Sequence, residues 1–234
     1  MDFDFKLMKE SAQKSWHVFV GHIVVYVVAA IILIIVTGLA SLFVAGVALV
    51  GAVSSFNLSF EVSTAFGAVL ILIGLVGVVF LPPVSYGVYY MCLKGLRGEK
   101  VEVKDIMYGF KSTNTFFRGW IYFIIFYALF IVLSVISLFL GFIPFLGGLI
   151  SFIIHLIIHT VLFFSFYIYV MTPKENVIYA LQESVKIAKN HFIMTFVTMI
   201  LAGLFCILIV TIPFGIAFGA EMLKKIVPTI RDGS

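Results

Sequence analysis

The sequence predicts an all-α, polytopic integral membrane protein with about five transmembrane helices and amphipathic interfacial helices on the cytoplasmic face. Composition is the first reason: 63% of the 234 residues are hydrophobic and 11% are charged, against about 25% charged residues in soluble domains. Distribution is the second, because four runs without Asp, Glu, Lys or Arg cover 164 residues: 15–60, 62–93, 119–173 and 190–220. Together these features exclude a soluble enzyme, a nucleic-acid-binding domain and a disordered chain. We expect one transmembrane domain over residues 1–234.

The first run is 46 residues long and can be read in two ways. A spanning helix needs about 20 apolar residues. Residues 15–60 therefore fit one helix followed by a small-residue extension from Ala40 to Ser55, or a tight hairpin. A hairpin would carry the six basic residues of 94–118 to the outer side, which opposes the positive-inside rule. We therefore predict a single crossing.

The next two runs predict three further crossings. Residues 62–93 form one span, in which Pro82 and Pro83 are expected to kink or end the helix because proline lacks the N–H donor. The 55-residue run divides at a turn rich in helix breakers, residues 141–148. This division leaves spans of roughly 119–140 and 147–171.

The fifth predicted span covers about residues 191–212 and stops at Pro213. Five crossings leave the tail from Glu221 to Ser234 on the outer side, together with its three basic residues. The alternative is that the stretch from Pro213 to Ala220 re-enters the membrane, because it is too short for a sixth span.

Basic residues set the predicted orientation. Segments 1–16, 94–118 and 174–189 fall on one side of the five-span arrangement and hold 12 of the 15 lysines and arginines. The opposite loops, 54–61 and 141–148, hold no basic residue. By the positive-inside rule the N-terminus is cytoplasmic, and we expect a multi-pass protein of the cell membrane.

Each cytoplasmic segment has the periodicity of an amphipathic helix. The apolar faces are formed by Phe5, Met8, Ala12 and Trp16 in the first segment, by Val103, Ile106, Met107, Phe110 and Phe117 in the second, and by Ile178, Leu181, Val185, Ala188 and Phe192 in the third. Thr172, Pro173 and Glu175 form a start signal for the third helix. These helices either lie in the membrane interface or pack on the inner face of the protein. The pattern suggests three related units, 1–95, 96–172 and 173–234.

Two stretches carry a resemblance to a known family. The first runs from Leu81-Pro82-Pro83 through Gly87, Leu93 and Arg97-Gly98-Glu99 to Asp105-Ile106 and Gly109-Phe110, and the second contains Ala180-Leu181, Ser184 and Lys189-Asn190. Together they cover 41 of the 234 residues. The layout resembles a group of uncharacterised prokaryotic multi-pass membrane domains, which includes the membrane domain attached to some glycerophosphodiester phosphodiesterases. Members of that group usually have six spans. The resemblance implies a fold and leaves activity open.

Two histidines are the only ionisable groups near the predicted midplane of the membrane. His155 and His159 stand four residues apart on one face of the fourth span. That spacing suits a pore lining, a proton relay or a metal site. No nearby Cys, Asp or Glu completes a metal shell, so we expect no metal. Neutral histidines that hydrogen-bond between helices are the structural alternative.

Other features have both a functional and a structural interpretation. The helix break at Pro82 and Pro83 either lines a substrate site or is a simple kink. Small residues at Ala45, Gly46, Gly67, Gly74 and Gly77 indicate close helix packing. Six basic residues either hold anionic lipid headgroups or only set topology: Lys94, Arg97, Lys100, Lys104, Lys111 and Arg118.

The expected function is non-enzymatic, because the sequence has no catalytic motif, no carboxylate pair and no acid inside a predicted span. The leading hypothesis is a homo-oligomeric pore or channel. The alternative is a structural or lipid-binding membrane protein that scaffolds a partner through its basic cytoplasmic face. We expect membrane lipids as partners, and neither a cofactor nor a nucleic acid.

Overall fold

The structure is a computed structural model that describes residues 5–56, 60–143, 146–207 and 212–226. Over these ranges the chain forms nine α-helices, one 3-10 helix and no strand. The α-helices are α1 Phe5–Gly21, α2 Ile23–Phe56, α3 Phe60–Leu96, α4 Thr113–Leu140, α5 Leu146–Leu162, α6 Ser165–Met171, α7 Val177–Asn190, α8 Phe192–Ile207 and α9 Ile212–Ile226. The 3-10 helix covers Val103–Phe110, between α3 and α4. The predicted all-α class is confirmed.

Four helical segments of the described chain are long and apolar enough to cross a membrane: Ile23–Ala52, Ala65–Leu96, Thr113–Leu140 and Leu146–Met171. A fifth is obtained if α7 and α8, which are bent by 111° at His191, count as one broken span. This range of four to five agrees with the predicted number. The first run is one continuous helix, as predicted from the basic residues, and the small-residue extension belongs to it.

Helices α2 and α3 form a long antiparallel hairpin whose contact depends on small residues. Glycines on α3 lie directly against the α2 backbone, and a Cβ added at Gly74 or Gly77 would collide with backbone atoms of Phe43 or Ala40. Gly46 faces Gly67 in the same way. Close backbone approach of this kind is what small residues permit in membrane helices. The predicted packing role of these residues is confirmed.

Helix α3 continues through Pro82 and Pro83 to Leu96, so the expectation that the helix could end there is wrong. It ends instead at Leu96, and Gly98 in the following turn has a φ of 78°, the left-handed conformation that favours glycine. The chain then turns into the 3-10 helix, which packs along α3.

The prediction of one amphipathic α-helix for the second cytoplasmic segment is wrong. Residues Val103–Phe110 are a 3-10 helix, and Phe117 belongs to α4, which starts after its N-cap Ser112. Ile106 is buried against α3, while Val103 and Met107 are 44% and 52% exposed. The close fit to α3 explains the difference, because Gly87 and Gly109 bring the two backbones together.

Helices α1 and α7 pack on the protein and also keep an exposed apolar face. On α1 the buried face is Met8, Ser11, Ser15 and Phe19, whereas Phe5 and Trp16 of the predicted face are exposed. On α7 the buried face is Val177, Ala180, Ser184, Ile187 and Ala188, whereas Ile178 and Val185 are exposed. Packing on the protein is therefore observed for both helices, and the exposed stripes remain suited to a membrane interface.

The start of α7 differs from the predicted signal. Its N-cap is Asn176, whose side-chain oxygen accepts a hydrogen bond of 2.8 Å from the Tyr179 amide. Thr172 instead ends α6 and donates its hydroxyl to the Ile168 carbonyl. An Asn cap competes effectively with Thr, so the helix begins four residues later than Pro173.

Helices α8 and α9 run antiparallel, and α9 returns toward α1. Phe218 and Met222 of α9 pack with Met8 of α1 and Ala202 of α8 in one buried cluster. Glu221 of α9 lies 2.9 Å from Lys14 of α1. Glu221, the first residue of the tail, therefore lies beside the N-terminal segment, which contradicts its predicted place on the opposite side. Residues 227–234 of the tail lie outside the described residues. The alternative, in which the stretch from Pro213 to Ala220 re-enters the membrane, stays a prediction.

Candidate functional site

The helices line a partly open cavity of about 440 Å³. Its walls come from α2, α3, α4, α5, α6, α8 and α9, and most of them are aromatic or aliphatic. The lining residues are Leu33, Thr37, Leu81, Ser85, Tyr89, Tyr122, Phe123, Phe126, Tyr127, His159, Leu162, Phe163, Phe166, Met199, Ile212 and Ile216. Apolar walls with a few polar groups are typical of sites for small molecules.

Helices α3 and α4 place most of the aromatic wall. Leu81, Ser85 and Tyr89 follow at four-residue steps, which puts them on one face of α3. The Tyr122 ring on α4 lies 4.5 Å from the Phe166 ring between centroids, and its hydroxyl is 2.7 Å from the Ser165 hydroxyl. Because Tyr122 is fixed on both sides, this wall is preorganised.

The two histidines have different surroundings. His159 lines the cavity, and its ring centroid is 4.7 Å from that of Phe130. His155 is not among the lining residues, and its Nδ1 is 2.9 Å from the Ser151 carbonyl oxygen. The Ser151 hydroxyl in turn donates to the Ser137 hydroxyl on α4, at 2.8 Å. Both histidines lie in α5, but only His159 lines the cavity.

A metal site is not assembled around these histidines. Within the described ranges, no group of three or more His, Cys, Asp or Glu side chains is close enough to hold a metal ion. The role of His155 and His159 as pore or relay residues stays a prediction.

Pro82 and Pro83 lie beside the cavity and are buried. Their carbonyl oxygens face two glycines: an added Cβ on Gly119 of α4 would lie 3.0 Å from the Pro82 oxygen, and one on Gly109 would collide with the Pro83 oxygen. The proline pair is therefore a place where both α4 and the 3-10 helix closely approach α3. Leu81 and Ser85, on either side of the pair, both line the cavity.

Arg118 is buried and holds the end of α6, a role that sequence reasoning missed. Its Nη1 donates to the carbonyls of Pro173 and Glu175 at 2.7 and 2.9 Å, and its Nη2 to those of Tyr169 and Thr172 at 3.0 and 3.2 Å. The guanidinium also lies 4.1 Å from the Tyr169 ring centroid. Since these contacts occupy both terminal nitrogens, we remove Arg118 from the set of headgroup candidates.

The five other predicted bases separate into two groups. Lys94, Lys104 and Lys111 line a second pocket of about 480 Å³, where α3 meets the 3-10 helix. Arg97 and Lys100 lie outside it, and Lys100 pairs with Glu102 at 3.3 Å. The structure thus brings half of the predicted set together.

Two ion pairs between α1 and α9 were also missed. Lys14 contacts both carboxylate oxygens of Glu221 at 2.9 Å, and Lys225 lies 3.1 Å from Glu10. The partners are more than 200 residues apart in sequence, so no local pattern could have indicated them.

No family model, no curated protein and no solved structure matches the chain. The resemblance to membrane domains of glycerophosphodiester phosphodiesterases therefore stays a prediction. The functional argument rests on the geometry of the chain itself.

Proposed function

We propose that this chain is a non-enzymatic integral membrane protein that binds a membrane lipid, or a similarly amphipathic molecule, in the cavity between its helices. The supporting observation is the cavity itself, because its volume and its aromatic walls match those of small-molecule sites. Hydroxyl groups of Thr37, Ser85 and Tyr89, together with the His159 imidazole, supply the few polar contacts.

A lateral groove supports a ligand that comes from the bilayer. It has a volume of about 580 Å³ and lies between α2, α3 and α4. Leu81, Phe123 and Tyr127 belong to both the groove and the cavity. No charged residue lines the groove. An acyl chain could therefore occupy the groove while a polar end reaches the hydroxyl groups inside.

Filling the cavity tests this proposal. Ser85 is buried at the cavity wall, so Ser85→Leu should occupy ligand space and lower retention of co-purified lipid by about tenfold. Retention is measured by native mass spectrometry after purification in mild detergent. Ser134→Leu is the matched control, because Ser134 lies on the exposed face of α4 and should retain lipid normally. Equal retention by the wild type and both variants would overturn the proposal.

A pore is the second candidate, and one row of polar groups favours it. Ser137 and Ser151 meet across α4 and α5, His155 bonds to Ser151, and His159 opens onto the cavity. A pore predicts solute flux in liposomes that changes when His155 and His159 are both replaced by alanine. If the wild-type protein shows no flux, the pore hypothesis is contradicted and lipid binding remains as the proposed function. If the protein is purely monomeric in lipid, the homo-oligomer hypothesis is contradicted.

A further inference from the structure

The second pocket, which we call the basic groove, is a separate site at the end of α3. It is lined by Tyr90, Lys94, Lys104, Asp105, Met107, Tyr108 and Lys111. Three lysines and one carboxylate surround it, so its lining carries a net positive charge. It shares no residue with the cavity.

The floor of the basic groove is rigid. The rings of Tyr90 and Tyr108 are stacked with centroids 3.6 Å apart and planes 8° apart. Lys94 donates to both oxygens of Asp105, at 3.0 and 2.9 Å, and Asp105 also accepts the Glu102 amide at 2.8 Å. These contacts fix the 3-10 helix to α3. They also set the positions of Lys104, which lies on the 3-10 helix, and of Lys111, which directly follows it.

Lys104 and Lys111 are the cations that remain available. Lys104 pairs with Glu102, but the Lys104 side chain is 77% exposed, and exposed pairs of this kind contribute little. Hydrogen bonds from Lys104 and Lys100 hold the pKa of Glu102 below its usual range, so this carboxylate stays ionised at neutral pH. Lys111 lies 5.4 Å from the Tyr108 ring centroid. It has no carboxylate within 4.0 Å among the residues the structure describes.

The position of the basic groove indicates where an anion would come from. The groove lies at the end of a membrane-spanning helix. Val103 and Met107 on the adjoining 3-10 helix expose their apolar side chains, and such residues suit the membrane interface. Basic pockets at this level of a membrane protein bind anionic lipid headgroups.

We propose that the basic groove binds the phosphate-bearing headgroup of an anionic phospholipid, with Lys104 and Lys111 as the ligands of the phosphate. Lys94 has a positioning role, because its ammonium is held by Asp105. This proposal does not depend on lipid binding in the cavity.

Short-chain dioctanoyl phosphatidylglycerol is a suitable probe for the full chain in detergent. Replacing Lys104 and Lys111 together by alanine should weaken its binding by about tenfold and reduce the salt dependence of binding. Replacing both by arginine should retain binding, because the charge is kept. Lys186→Ala combined with Lys189→Ala on α7 is the control, since Lys186 forms a comparable exposed pair with Glu183. Ser85→Leu should also leave this binding unchanged.

Either of the following two results would overturn the proposal, and a third would contradict its selectivity. One is equal loss of probe binding in the control pair, which would indicate a diffuse charge effect. The other is displacement of the lipid by inorganic phosphate at the same concentration, which would make free phosphate the ligand. Binding to dioctanoyl phosphatidylcholine with the same affinity would likewise contradict selection for an anionic headgroup.

Discussion

At the residue scale, Arg118 shows how one charge can organise the end of the bundle where α4 starts and α6 ends. Four carbonyl oxygens at and after the end of α6 accept hydrogen bonds from Arg118, in a region where the last carbonyls of a helix have no partner within it. A planar guanidinium can serve several acceptors at once. By its position in α4, Arg118 therefore fixes the start of one span against the end of another.

Replacing Arg118 tests this role. Arg118→Met should lower the free energy of unfolding by about 2–4 kcal/mol, because it leaves buried carbonyls without donors. Arg118→Lys should lower it less, since an ammonium supports some of the contacts. The measurement is the unfolding midpoint in detergent. Lys111→Met, at an exposed lysine of the same region, should change it little.

Residue roles were the least predictable part of the candidate site. The sequence indicated that bases cluster between 94 and 118, and three of them do converge on one groove. It did not distinguish Arg118, because its partners lie 51 to 57 residues away. The cavity-lining role of Ser85 and Tyr89 could not be predicted for the same reason. It depends on α4 and α5, which lie opposite them in the fold but are distant in sequence.

At the element scale, the fit of the 3-10 helix to α3 depends on backbone contact. Gly87 faces the Ile106 carbonyl, and Gly109 faces the Pro83 carbonyl. These residues, and Gly98 at the end of α3, belong to the stretch that carries the family resemblance. Their structural roles explain why that stretch combines prolines and glycines, without requiring a catalytic role.

Gly87→Ala should therefore destabilise the protein by about 1–3 kcal/mol, because the added methyl group forces the 3-10 helix away from α3. The same variant should weaken anionic lipid binding, since the basic groove is formed by these two elements. Gly38→Ala is the matched control: no atom lies within 4 Å of its added Cβ. Thermal unfolding and probe binding are measured for both variants, and equal effects would contradict the assignment.

The type of a secondary-structure element could be predicted where its hydrophobic run was long. The spans follow from hydrophobic length, and the break near 141–148 follows from helix breakers. The 3-10 helix was read as an α-helix because the spacing of Ile106, Met107 and Phe110 fits both. The segment adopts the 3-10 form because it packs against Gly87 of α3. That contact is not local in sequence, so the spacing could not predict it.

At the scale of the whole molecule, the α8–α9 hairpin determines how the chain ends. The described part of helix α8 covers 16 residues, Phe192–Ile207. Helix α9 then carries Glu221 and Lys225 back to α1. Lys225, one of the three basic residues on the outer side of the five-span arrangement, thus lies beside the N-terminal helix.

This arrangement predicts that both chain ends lie on the same side of the membrane. A reporter that is active only in the cytoplasm should give the same result, active or inactive, when fused before residue 1 or after residue 234. A reporter fused at the loop near residue 142 should give the opposite result. Opposite results at the two ends would contradict the return of α9.

The Lys14–Glu221 pair can be tested by exchanging its charges. Lys14→Glu should destabilise the protein, because Glu221 has a side chain only 4% exposed and a second carboxylate would face it. Adding Glu221→Lys should recover part of the loss, with a coupling of about 1 kcal/mol. The exposed pair Lys186–Glu183 serves as the control exchange and should show little coupling.

The class of the protein and the order of its spans could be predicted from charge and hydropathy. The contact between α9 and α1 could not. Run lengths and basic residues predicted the class and the order of the spans. The return of α9 required knowing that Phe218 and Met222 pack with Met8, a contact between opposite ends of the chain.

The contact between α1 and α9 also has a consequence for synthesis. A ribosome adds roughly 5–20 residues per second. Lys14 therefore waits about 10–40 seconds for Glu221, which follows 207 residues later. During that time the buried face of α1 has no partner from α9. A nascent chain that stops before α9 leaves Met8 without its contacts to Phe218 and Met222, so we expect a prematurely terminated product to be less stable and more readily degraded.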